Sequence, residues 1–188
     1  MTDLGVVTRK LPGEGLLYGM FDLIGETLPS IFLARQATLL AKGRDGATFD
    51  AAAQAAAETI AAVIHPFALS LIEQHHAAGR PVALATTTPH HLIKPLADRL
   101  GIDHVIATRY SINEEGRFDG SIAGNFVWSR GKIAAVKEWA AREDIDLAES
   151  FAYSDSIYDL PLLSAVGSPN AVNPDPRLTL YAVARGWP

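Results

Sequence analysis

Two patterns of apolar spacing meet in this chain, and they change over at Pro81. From Leu16 to Ala78 the apolar residues recur at helical spacing. Leu16 to Leu40 reads as helix, divided into two pieces at Gly25 and Pro29, and Lys42-Gly43-Arg44-Asp45-Gly46 closes it. The Ala-rich stretch to about Ile64 predicts a helix with Thr48 or Asp50 as its N-cap, because alanine is the best helix former. His65-Pro66 interrupts, and Phe67 to Ala78 predicts a second helix, with Phe67, Leu69, Leu71 and Ile72 apolar and Gly79 as the stop.

After Pro81, short apolar runs alternate with helical segments. Val82-Ala83-Leu84-Ala85 reads as a buried strand that ends in Thr86-Thr87-Thr88-Pro89. A helix follows from about His91 to Leu100, then a strand at Val105-Ile106-Ala107, and Tyr110 to Gly124 has the Asn, Glu and Gly content of a hairpin. Gly131 to Arg142 predicts a helix. A strand from Phe151, a helix from Leu160 and a last strand near Ala171-Val172-Asn173 complete the order. Such alternation predicts an α/β fold, a parallel sheet with helices on both faces.

The most informative stretch is Phe151-Ala152-Tyr153-Ser154-Asp155-Ser156-Ile157-Tyr158-Asp159-Leu160. Asp155 falls at the carboxyl end of a strand and Asp159 at the entrance of the next helix, where open α/β sheets bind ligands. Two carboxylates with no basic neighbour in sequence repel unless they share a cation, and hard oxygen ligands suit Mg²⁺. The plainer reading is that Ser154 or Asp155 caps the helix, with Asp159 favourable in its first turn. Two other positions change the balance. Thr86, at its strand end, offers a hydroxyl and a backbone N–H to a phosphate oxygen, and Lys132 at a helix start offers an ammonium to the charge gathered there. Each alone has an ordinary explanation, as a strand end and a solvated lysine; their order and shared position at strand ends favour the chemical one.

Composition excludes several alternatives. The chain has 188 residues, 48% hydrophobic and 20% charged, which suits one good core with a small accessory lobe. A formal net charge of −5 and no Lys/Arg cluster speak against nucleic-acid binding. Without cysteine there is no disulfide, thiolate nucleophile or thiolate metal site. No apolar run approaches the roughly 20 residues that span a bilayer, and no signal peptide is legible. A cytoplasmic protein without membrane partners is the expectation, with a homodimer as its candidate assembly. The pairs His75-His76 and His90-His91 are helix neighbours pointing to different faces, so neither chelates readily.

From about Pro66 to Trp187 the chain resembles the haloacid-dehalogenase-like (HAD) superfamily, in the branch of phosphoserine phosphatase and related small hydrolases. The resemblance rests on Ala83 to Pro89, Gly124-Asn125, Gly131-Lys132, the Ser154-Asp155-Ser156 block through Leu163, and Ala171-Val172-Asn173-Pro174-Asp175-Pro176. It implies a Rossmann-like core with a small helical cap, and a Mg²⁺-dependent phosphatase acting on a small phosphorylated metabolite through an aspartyl-phosphate. It also implies that Thr86, Thr87, Asn125 and Lys132 bind substrate, with Thr86 and Lys132 also catalytic. Asp155 would ligate the metal, with Asp159 assisting from behind or through water. The family's nucleophile sits in an Asp-x-Asp motif after the first, central strand, and no Asp-x-Asp precedes Thr86. The nearest remnant is Thr2-Asp3-Leu4-Gly5-Val6-Val7-Thr8, which makes Asp3 the candidate nucleophile; Asp22 imitates the motif inside the helical pattern. On this basis residues 1–15 are the remnant of the first core motif, 16–65 the helical cap and 66–188 the core. The rival expectations are a catalytically inactive binding or interaction protein, and a chain lacking the nucleophile strand. Without that strand, the strands ending at Thr86 and Tyr153 are expected either to pair directly or to receive a strand from a second chain.

Overall fold

The computed structural model describes residues 36–188. Asp3, Asp22, the remnant motif and residues 16–35 of the expected cap lie outside the described residues. The chain divides into two compact units, one including residues 36–84 and 88–124, the other residues 85–87 and 125–188.

In the first unit, helix α1 spans Gly46–Ala61 and α2 Pro66–Ala77. The cap of α1 is Asp45, whose carboxylate accepts from the Ala47 N–H at 2.9 Å, rather than the expected Thr48 or Asp50. Tertiary contacts move the start: Gly43 N–H donates to Phe118 O and Gly46 N–H to Gly116 O, so the chain is tied to a hairpin just before the helix begins. His65 caps α2 through its ring Nδ1, Pro66 occupies the first turn, and Gly79 at φ +70° ends it.

Strand β1 (Ala83–Pro89), helix α3 (His90–Arg99) and the hairpin β2–β3 (His104–Ile112, Phe118–Ala123) follow. The sheet order is β1-β2-β3, and β2 and β3 run antiparallel. Asn113 shapes the hairpin turn, its side-chain oxygen accepting from Glu115 and Arg117 N–H. The first core gathers Ala41, Phe49, Ala52, Tyr110 and Phe118, with Leu92 against it. The Phe118 ring lies edge-on to Phe49 at 5.0 Å and to His91 at 5.3 Å.

In the second unit, α4 (Arg130–Arg142) leads to β4 (Phe151–Ser154), α5 (Leu160–Leu163), β5 (Ser168–Ala171) and α6 (Pro176–Arg185). Strands β4 and β5 are parallel, with Phe151 opposite Ser168 and Ser154 opposite Ala171. The second core consists of Ala152, Leu163 and Leu178, flanked by Ile157, Leu162, Val166 and Trp187. Strand β5 ends at Ala171, earlier than expected, because Asn173 turns to φ +46° and Pro174 follows.

The α/β architecture is the expected one, but the pairing is mixed rather than wholly parallel. Among the described residues β1 pairs with β2 and β4 with β5, so the direct pairing of β1 with β4 does not occur. No single helix among the described residues is long and apolar enough to cross a membrane.

Candidate active site

The chain leaves β4 at Ser154 and makes a short 3-10 turn, Ile157–Asp159, before α5. Asp155 therefore lies just past a strand end and Asp159 at the N-cap position of α5, although the Asp159 side chain accepts no capping hydrogen bond there. Its carboxylate is otherwise engaged. Oδ1 meets the Lys132 ammonium at 2.6 Å, with the two side chains 12% and 6% exposed, and Oδ2 accepts from Ser154 Oγ at 2.8 Å. Ser154 Oγ in turn accepts from the Ser156 N–H at 3.1 Å. Asp159 is thus held from two sides in this arrangement. The Asp155 carboxylate is the opposite: exposed, with no hydrogen-bond or ion-pair partner among the described residues.

Lys132 stands in the first turn of α4, where neither burial nor the helix dipole favours a cation. A solvated lysine would be unremarkable; a buried one beside the positive end of a helix requires the Asp159 counter-charge. The approach to it is tight. Ser129 takes φ +46°, Trp128 N–H donates to Phe126 O, and Gly131 N–H donates to Trp128 O. A Cβ on Gly131 would lie 2.1 Å from Phe126 O, so only glycine fits immediately before Lys132. Asn125 is exposed, next to Gly124 at φ +76°.

The strand at Thr86 runs further than expected: β1 continues to Pro89, so Thr86 lies inside it. The physical reason is local: β-branched threonines favour strand, and the residue before a proline is pushed into extended backbone. Side chains alternate along a strand, so Thr86 and Thr87 face opposite ways. The Thr87 hydroxyl is buried and makes no hydrogen bond among the described residues. Residues 85–87 share a compact unit with Lys132, Asp155 and Asp159.

Two contributors went unread in the sequence. Ser154 carries the contact that orients Asp159. Asp175 holds the Asp155 loop: its N–H donates to Asp155 O at 2.7 Å, and its carboxylate accepts from Ile157 N–H at 2.6 Å and from Arg177 and Leu178 N–H. Burial works to raise the Asp175 carboxyl, but those three N–H groups and the Arg177 guanidinium outweigh it and hold it below the ordinary carboxylate range. An Asp before Pro is a legible helix start; its reach to Ile157, 18 residues away, is not.

Magnesium commonly takes only one or two carboxylates and completes its shell with water and substrate phosphate. One free, hard-oxygen donor at Asp155 fits that requirement. No cluster of three or more His, Cys, Asp or Glu residues that could hold a metal ion occurs among the described residues.

The family model described as haloacid dehalogenase-like hydrolase matches residues 7–164. The phosphoserine phosphatase SerB1 of Mycobacterium tuberculosis is 36% identical over 178 residues, 92% of this chain and 58% of that protein. The histidinol-phosphatase of Neisseria meningitidis is 35% identical over 135 residues, 70% of this chain and 61% of that protein. A crystal structure of a protein of unknown function from Bordetella pertussis superimposes with a TM-score of 0.76 at 33% identity, covering 93% of this chain and 78% of that one. The chain spans about half the length of the curated relatives it matches.

Proposed function

The chain belongs to the haloacid dehalogenase-like hydrolases, and on that premise we propose a Mg²⁺-dependent phosphatase acting on a small phosphomonoester through an aspartyl-phosphate. The observation that carries the reading is one loop bearing two carboxylates of opposite condition. Asp159 is buried and neutralised by Lys132, while Asp155 is exposed and without a partner among the described residues. A loop built only to cap a helix has no use for a buried lysine. Names among the relatives, phosphoserine phosphatase and histidinol-phosphatase, point to the same substrate class.

In this reading Asp155 holds the metal, which when bound neutralises charge on the phosphoryl oxygens. Lys132 adds positive charge to the same group, and Asp159 keeps its ammonium in place. Thr86 and Thr87 on β1 and the Asn125 side chain bind the phosphoryl oxygens. Asp3 is the candidate nucleophile: its carboxylate oxygen bonds to phosphorus, the substrate alcohol departs, and water then hydrolyses the acyl phosphate.

A second reading, a protein that binds phosphate and metal without turnover, is favoured by one observation: no Asp-x-Asp precedes Thr86. Loss of a general acid alone costs on the order of 10²–10⁴ in rate, so turnover of a generic aryl phosphate should be poor. One experiment separates the readings. Phosphate release from a panel of phosphomonoesters, phosphoserine and histidinol phosphate among them, is measured with and without Mg²⁺. Calorimetry of inorganic phosphate accompanies it. Turnover that is abolished by Asp3→Asn and Asp155→Asn supports the phosphatase. Mg²⁺-dependent phosphate binding without turnover supports the second reading, and the absence of both refutes the pair.

A further inference from the structure

The geometry points to Asp175 as a positioning residue that holds the Asp155 loop in place for the metal, an inference that rests on the phosphatase reading above. A carboxylate that caps a helix needs only one oxygen. At Asp175, Oδ1 does that work alone, accepting from the N–H groups of Arg177 and Leu178 at 2.8 and 2.9 Å at the start of α6. Oδ2 turns away from the helix and accepts from Ile157 N–H at 2.6 Å.

The backbone of the same residue reaches the same loop. Asp175 N–H donates to Asp155 O at 2.7 Å, and three residues earlier Val172 N–H donates to Ser154 O at 3.0 Å. The main chain is thus fastened at positions 154, 155 and 157, on both sides of Asp155, by the segment 172–175. The Asp155 side chain is left unheld among the described residues. The clamp crosses 18 residues of sequence and bypasses the whole β4-α5-β5 connection. A merely structural cap would be equally served by the first oxygen. The second determines where the 155–157 turn sits, and with it the direction in which the Asp155 carboxylate is presented. Groups behind a metal ligand commonly matter in this way: altering them weakens metal binding about 10–100-fold.

Asp175→Ser and Asp175→Asn separate the two duties. Serine and asparagine are N-caps about as good as aspartate, so α6 keeps its cap. Neither has a second acceptor oxygen for Ile157, while the backbone N–H to Asp155 persists in both. Three quantities are measured on the full chain: the exchange rate of the Ile157 amide, the Mg²⁺ dissociation constant by calorimetry, and the urea midpoint. Faster Ile157 exchange, with Mg²⁺ binding weakened about tenfold or more and a nearly unchanged midpoint, is the expected result. Unchanged Ile157 exchange, or faster exchange with a Mg²⁺ dissociation constant within about twofold of wild type, overturns the positioning role. Wild-type protein that binds no Mg²⁺, or binds it equally well after Asp155→Asn, overturns the phosphatase reading beneath it and the positioning role with it.

Discussion

Replacing Asp159 with asparagine keeps the shape of the side chain and removes its charge, leaving the Lys132 ammonium buried without a counter-ion. At the observed 2.6 Å, unit charges attract by about 6 kcal/mol for an effective dielectric constant near 20. Taking each ion out of water costs several kcal/mol, so the intact pair contributes little net stability. Losing one member is a different matter, because the survivor's desolvation is then uncompensated, at about 3–5 kcal/mol. Set against a domain stability of about 5–15 kcal/mol, Asp159→Asn should lower the urea midpoint by on the order of 1–3 M for a slope near 2 kcal/mol/M. Lys132→Met strands the carboxylate in the same way. The double substitution removes both charges and should recover most of the loss, so the two effects will be far from additive. Equilibrium urea unfolding of the four proteins gives the cycle directly. A loss below about 1 kcal/mol in Asp159→Asn, or additive single effects, would refute the buried-pair argument.

Two further outcomes are expected. Burial first, then the charges of Arg109, His91 and Lys94, push His90 down to about 4, against a weaker upward pull from Asp98. The unfolded chain therefore takes up a proton between about pH 6.5 and 4 that the folded chain refuses, and stability falls as pH drops through that window. Urea midpoints at pH 7 and pH 5 should differ more in wild type than in His90→Gln, and equal differences would count against it. Gly131→Ala places a Cβ 2.1 Å from the Phe126 carbonyl oxygen, which forces the 126–131 turn to shift. A loss of about 1–3 kcal/mol is expected from such overpacking, and a thermal midpoint equal to wild type would show that the turn yields freely.

Much of the fold was legible because its signals are local. The Ala-rich run specified α1, His65-Pro66 and Gly79 bounded α2, and the Asn and Gly residues between Ile112 and Phe118 marked the hairpin. Asp155 and Asp159 could be placed at a strand end and a helix entrance because the apolar period changes between them. Boundaries failed where distant contacts intervene. The start of α1 moved to Asp45 because residues 116–118 hold Gly43 and Gly46, and β1 ran through Thr86 because three β-branched residues precede a proline.

By itself, then, the sequence determined where the candidate residues fall along the elements: Lys132, Asp155 and Asp159 are ordinary side chains at positions whose periodicity and neighbours single them out. It could not say which carboxylate is neutralised by a lysine and which stands exposed. That depends on Lys132 folding back into a low-dielectric interior against Asp159, on Ser154 turning its hydroxyl toward the same carboxylate, and on Asp175 reaching Ile157. Each of these is a contact between residues far apart in the chain or on different elements. Charge pairing and hydrogen bonding depend on separation through space, within about 3 Å, whereas the sequence pattern records only separation along the backbone.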